Sequence, residues 1–140
     1  ARSHPGGRLG RRLLLHVADI MHRDERVPAV RADATLREAL VEMSRQGLGM
    51  TAVVDEERRV IGIFTDGDLR RALDRGIDVR AERVDAVMIP RPVTVNAELL
   101  AAEALALMES RKINALLVTD ADGRLVGALN MHDLLRARVV

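Results

Sequence analysis

The sequence predicts an α/β (α+β) fold made of two β-α-β-β-α units packed on each other with pseudo-twofold symmetry. Three observations carry that expectation. The same segments occur twice in constant order: Ala39–Met43 is echoed by Ala104–Met108, Asp55–Gly62 by Asp120–Gly127, and Asp68–Ala72 by Asp133–Ala137. Each copy alternates a helix-period apolar stripe with short runs of aliphatic and β-branched residues. Apolar residues make up 48% and charged residues 31% of the 140, enough for a core and a solvated surface, so a disordered tail is excluded.

The elements follow in order. Val17-Ala-Asp-Ile-Met21 and its echo Val84-Asp-Ala-Val-Met88 open the copies, and an apolar strand follows at Val27 to Val30 or Val93 to Val95. Thr35-Leu-Arg-Glu38 has capping-box spacing, so hydroxyl and carboxylate can each satisfy a free backbone N–H at a helix start. Leu36, Ala39, Leu40 and Met43 then form one stripe; Ala101, Ala104, Leu105 and Met108 repeat it, with Leu100 in place of the capping threonine. Strands are expected at Met50 to Val54 and Ala115 to Val118, then polar turns at Asp55 to Arg59 and Asp120 to Arg124. Second strands, Val60 to Phe64 and Leu125 to Leu129, lead into helices near Asp66 and His132. Units of about sixty residues bury little core alone, so the copies should pack through their strands.

Composition narrows the function. With 22 basic and 21 acidic side chains the charge is balanced, which is no nucleic-acid footprint. Phe64 is the single aromatic residue, so no platform exists for stacking bases. Cysteine is absent, which excludes disulfides and thiolate metal sites and makes a reducing cytoplasm the simplest home. No stretch approaches the roughly 18 apolar residues of a membrane span, and the opening residues have no apolar signal core. His4, His16, His22 and His132 lack metal-ligand spacing, and Asp120-Ala-Asp122-Gly lacks the calcium loop's glycine and closing glutamate, so no metal is expected.

The chemistry concentrates where a strand runs into a helix. Thr65 and Asn130 hold that position, beside unpaired backbone N–H groups that suit a phosphate. Asp68 and Asp133 fall three residues later, where a carboxylate can accept from both hydroxyls of a ribose. Either carboxylate could equally serve only the helix macrodipole, and the two roles can coexist; repetition favours a ligand. Arg70 and Arg71 form a solvated helix face or reach an acidic ligand lying over the helix start.

The units Gly62-Ile-Phe-Thr65-Asp-Gly-Asp68-Leu and Gly127-Ala-Leu-Asn130-Met-His-Asp133-Leu resemble the signature of the cystathionine-β-synthase (CBS) domain, with Asn130 departing from the usual hydroxyl. The resemblance covers about residues 17 to 138 and implies a tandem CBS pair that binds a nucleotide in clefts between the copies. Three segments result: 1–16 as a remnant or linker, 17–79 as the first CBS domain and 80–140 as the second.

The opening Ser3-His4-Pro-Gly-Gly7, Leu48-Gly-Met-Thr51 and Phe64-Thr-Asp-Gly-Asp-Leu-Arg-Arg71 are similar to arabinose-5-phosphate isomerases, in which a sugar-isomerase domain precedes a CBS pair. That resemblance implies a parent enzyme interconverting ribulose and arabinose 5-phosphates on the route to Kdo in a Gram-negative bacterium; Lys112 as the single lysine among 22 basic residues reads as the codon bias of a GC-rich genome. The resemblance makes His4 a remnant of the isomerase site, inert alone, so this chain should catalyse nothing and carry no cofactor. The implied ligand is CMP-Kdo as feedback effector: base along Leu48 to Thr51, with Met50 and Thr51, and along Ile113 to Leu116, with Asn114 and Ala115. Asp68 or Asp133 would hold ribose, and Arg70, Arg71, Lys112 and His132 the acidic sugar. An adenine-nucleotide sensor and a purely structural dimerisation module are the alternatives. The expected partners are that small molecule and a second copy of the chain, with no nucleic acid and no membrane.

Overall fold

The computed structural model describes residues 14–138; the stretch before them, His4 included, lies outside the described residues. Among the described residues the helices are α1 (Val17–Ile20), α2 (Leu36–Gln46), α3 (Asp66–Asp74), α4 (Ala101–Arg111) and α5 (Met131–Arg136). The strands are β1 (Ala29–Arg31), β2 (Met50–Val54), β3 (Val60–Thr65), β4 (Ile89–Pro90), β5 (Thr94–Val95), β6 (Ala115–Thr119) and β7 (Leu125–Asn130). Thr35 caps α2 as its spacing predicts: its hydroxyl accepts from the Glu38 N–H at 3.1 Å, and Glu38 accepts from the Thr35 N–H at 2.8 Å. At α4 only the return half exists, Leu100 N–H to Glu103 at 3.1 Å, because leucine has no acceptor.

Two sheets result, ordered β1-β2-β3-β4 and β5-β6-β7. In each, a parallel strand flanks an antiparallel hairpin. The inner faces meet in one layer, where Met50, Ala52, Val54 and Ile63 pack against Leu117, Leu125 and Ala128. On the outer faces α2 buries Leu36, Ala39 and Met43 with Val53 and Phe64, while α4 buries Ala101, Ala104, Leu105 and Met108 with Leu116 and Leu129. The stripes are thus buried as expected, with Leu40 only at the margin. Both hairpins carry an irregularity just before the signature glycine, between the pairs Val53–Gly62 and Val54–Val60 and between Val118–Gly127 and Thr119–Leu125. A bulge there shifts the phase, so Val60 and Ile63 face inward while Ile61 and Phe64 face α2.

The two polar turns join about the pseudo-twofold. Val60 N–H donates to the Gly123 carbonyl and Leu125 N–H to the Arg58 carbonyl, both at 3.0 Å. Arg59 and Arg124 reach across in the same reciprocal way, to the Asp122 and Glu57 carbonyls.

One segment departs from the simple repeat. Residues 17–22 open the first sequence copy, yet they lie on the second sheet: Val17 N–H donates to Leu99 at 2.7 Å, His22 bridges Ala128, and Val17 belongs to the core under α4. Residues 84–90 do the reverse. Val84 N–H donates to Ala34 at 2.8 Å, Val84 lies in the core under α2, and Ile89–Pro90 adds the strand β4 to β3. The copies therefore exchange their opening segments, which no helix or strand period in the sequence could reveal. The exchange accounts for the echoed methionines, since Met88 sits on Gly62 and Met21 on Gly127, so closely that a Cβ on either glycine would collide with the sulfur.

Candidate functional site

The first motif is built by β3 running into α3. Thr65 is the cap: its hydroxyl accepts from the Asp68 N–H at 3.3 Å, and Asp68 Oδ2 accepts from the Thr65 N–H and hydroxyl, each at 2.9 Å. The other Asp68 oxygen accepts from Arg71 at 2.7 Å. The Asp66 N–H is also taken, by the Gly49 carbonyl at 3.1 Å. Of the opening amides this leaves Gly67 without a protein acceptor among the described residues, fewer free donors than the motif suggests. A Cβ at Gly67 would lie 3.3 Å from Arg71 Nη2. Glycine thus lets the guanidinium lie over the helix start, beside the open amide, where both can serve one anion.

The second motif repeats the cap with different partners. Asn130 Oδ1 accepts from the Asp133 N–H, and Asp133 Oδ2 from the Asn130 N–H, both at 2.9 Å. The longer amide side chain also reaches the other copy, where Asn130 Nδ2 donates to the Leu48 carbonyl at 3.3 Å. Asp133 Oδ1 is 3.0 Å from Nε2 of His22, which arrives on the exchanged segment. The Asp133 carboxyl is only 5% exposed and His22 22%, whereas Arg71 on Asp68 is 68% exposed. Both carboxylates are buried, Asp68 as deeply as Asp133; what differs is the partner, largely buried on Asp133 and mostly in solvent on Asp68.

Between the two helix starts lies a cavity of about 760 Å³, within the usual range for small-molecule sites. Of the residues expected at a ligand site, Thr65, Asp68, Arg71, Lys112, Asn114, Ala115, Asn130 and His132 line it. Four do not. Met50 is fully buried between the sheets, and Thr51 is fully buried with its hydroxyl on the Ala52 carbonyl at 3.0 Å. Arg70 is exposed on α3 outside the cavity wall, and the buried Asp133 is engaged by Asn130 and His22. His4 lies outside the described residues.

Two contributors went unnoticed in the sequence. Arg91, in the connection between the copies, lines the cavity next to Ile89 and Pro92. His22 reaches Asp133 only because the opening segments are exchanged. The one available signal was that Met21-His22-Arg23-Asp24 and Met88-Ile89-Pro90-Arg91 continue the methionine echo into dissimilar residues.

The CBS domain family model matches residues 17–75 and 84–140. Over all 140 residues the chain is 64% identical to "Arabinose 5-phosphate isomerase KdsD" of Pseudomonas aeruginosa, 43% of whose length it covers. It is 54% identical over 140 residues to the protein of that name in Escherichia coli K12, covering 42% of it. The chain thus spans about two fifths of the length of these curated relatives. Among solved structures, CBSX2 in complex with AMP matches with a TM-score of 0.75 at 26% identity, over 89% of this chain and 96% of that one.

Proposed function

The chain belongs to the CBS-domain family, and from that premise we propose that it is the ligand-sensing part of an arabinose 5-phosphate isomerase. The parent enzyme would interconvert ribulose 5-phosphate and arabinose 5-phosphate in the cytoplasm, at the entry to Kdo synthesis. Identity of 64% along the entire chain supports that parentage. The module itself supplies no reaction. It binds an anionic nucleotide, with the acidic nucleotide sugar CMP-Kdo as the feedback ligand.

The observation that supports this reading most is the cavity between the helix starts, lined by cations as well as by the first motif. A phosphate at the Gly67 amide would meet the Arg71 guanidinium, and a charged hydrogen bond of this kind is worth about 1.5–3 kcal/mol. Asp68 would then turn from Arg71 to the ribose hydroxyls. The Asp68 carboxyl is itself buried, 4% exposed, so the exchange is favourable because ribose hydroxyls replace the guanidinium on Asp68 while the phosphate takes up Arg71. The base would lie against aliphatic surface, with Leu48 and Ile63 on one side and Ile113 and Ala115 on the other. An adenylate sensor is the second reading, favoured by the likeness to CBSX2, whose structure is a complex with AMP.

A thermal-shift panel on this chain with CMP-Kdo, CMP, AMP and ATP tests the choice. A ligand at a hundred times its Kd adds about 2.7 kcal/mol of stability. The largest shift is expected with CMP-Kdo, lost in Asp68→Ala; a shift with AMP or ATP and none with CMP-Kdo would replace feedback by adenylate sensing. Self-association belongs to the same proposal: Leu73 and Leu135 stand about half exposed on α3 and α5. Sedimentation equilibrium is expected to give a dimer, and 15.4 kDa at every concentration would remove it.

A further inference from the structure

Two cations on the cavity wall stand in backbone conformations that favour glycine. Arg91 has φ 47° and Lys112 φ 56°. Side chains other than glycine, asparagine and aspartate rarely occupy this region, and a residue kept there at a site often has a role there. The first copy shows what the fold needs at these places. Where Lys112 closes α4, Gly47 closes α2 with φ 70° and no strain. Where Arg91 follows β4, the first copy has Asp24 with φ 58°. Helix closure therefore does not call for a lysine, nor the bend for an arginine. Both side chains are exposed, and neither makes an ion pair or hydrogen bond among the described residues, while Arg71 is held by Asp68.

From this placement we infer that Arg91 and Lys112 hold a second anionic group, apart from the phosphate at Gly67 and Arg71. The site's ligand class is then a nucleotide that carries a further anion beyond its first phosphate. This rests on the nucleotide reading above and narrows it. The same chemistry could be a sugar carboxylate or an additional phosphate, and the test separates the two.

Calorimetry on the full chain would compare CMP, CTP and CMP-Kdo. At least one of the two more acidic ligands is expected to bind about tenfold tighter than CMP, and whichever does identifies the second anion. Arg91→Gln and Lys112→Gly should each reduce that preference to about threefold or less and leave CMP affinity within about twofold. Lys112→Gly serves as its own folding control, since it installs the first copy's residue and should keep or raise Tm. A preference that survives both substitutions, or none in the parent chain, overturns the inference and leaves nucleotide binding standing. Silence from CMP, CTP, CMP-Kdo and AMP alike overturns the nucleotide reading and this inference with it.

Discussion

The two motifs of this chain are alike in backbone and unlike in what holds their aspartates. Both cap a helix with one carboxylate oxygen, at 2.9 Å from the backbone N–H of Thr65 or Asn130. The second oxygen makes the difference. On Asp68 it meets Arg71 from its own helix, an arm mostly in solvent; on Asp133 it meets His22, delivered by the exchanged segment and largely buried. Asn130 adds a bond to the Leu48 carbonyl, 82 residues away, that Thr65 is too short to mirror. The same helix start thus occurs twice, once fastened to the other copy through His22 and Asn130 and once closed within its own helix by Arg71.

The sharpest way to break the comparison is to cut the copies apart. A chain ending at residue 80 loses Val84 from the core under α2 and the Met88 that seats on Gly62. Burial of one valine alone is worth about 1.5–3 kcal/mol, a large part of what a half of this size could have. Such a half should show no cooperative urea transition by circular dichroism, whereas one extended through Pro92 should regain helical signal. A stable, cooperative half without residues 84–92 would refute the exchange as an obligate feature.

A smaller effect separates the two signature glycines. At both, an added Cβ would strike a methionine sulfur, and a methionine can yield. At Gly127 the Cβ would also lie 3.2 Å from the His22 carbonyl, which is backbone and cannot swing aside. Overfilling of this kind costs about 1–3 kcal/mol, so Gly127→Ala should lie near the upper end and Gly62→Ala near the lower. Denaturation midpoints decide it, and Met88→Ala should relieve Gly62→Ala. Equal losses at the two sites would show that the His22 backbone moves as easily as a side chain.

Removal of the two partners of the aspartates gives the next contrast. His22→Ala leaves the buried Asp133 oxygen without its partner and should cost about 1–3 kcal/mol. Arg71→Met also strands a buried carboxylate oxygen, but Asp68 lines the open cavity, where water can replace the guanidinium, so it should cost less, about 1 kcal/mol, while weakening any anion at Gly67. Stability and affinity are thus expected to part: the first substitution lowers Tm, the second lowers ligand affinity. A larger Tm loss in Arg71→Met than in His22→Ala would reverse the assignment of structural and binding roles.

How far the sequence reached can be judged on the same residues. The stripes, both hairpins, the polar turns and the cap at Thr35 were legible because each is a local pattern with a period or spacing of its own. The exchange of opening segments was not, since Val17 and Val84 are apolar in either arrangement and only tertiary packing decides which core each enters. For the same reason His22 read as an isolated histidine. Met50 and Thr51 were placed on the correct strand, but a strand buried on both faces offers no side chain to a ligand. Arg91 lies in a connection with no repeat partner of its own kind, so nothing in its spacing marked it.

The smallest contrast lies at the helix caps, and it has a pH signature. Thr35→Ala removes the hydroxyl that accepts from Glu38 N–H and should cost about 0.5–1 kcal/mol; Leu100→Ala removes no such bond. The Glu38 carboxyl is held below its ordinary value of 4.5, first by the Thr35 backbone N–H and then by the Thr35 hydroxyl. A carboxyl whose pKa is lower in the folded state stabilises the fold above its unfolded value, and that contribution fades as pH falls through the lowered one. Glu38→Gln should therefore flatten the acid limb of the stability profile between pH 4.5 and the lowered value, with no change in its slope near neutrality. Thr35→Ala keeps the backbone donor, the larger of the two causes, and should flatten the same limb only in part. An acid limb in Thr35→Ala as flat as in Glu38→Gln would mean that the hydroxyl, and not the backbone N–H, holds the charge.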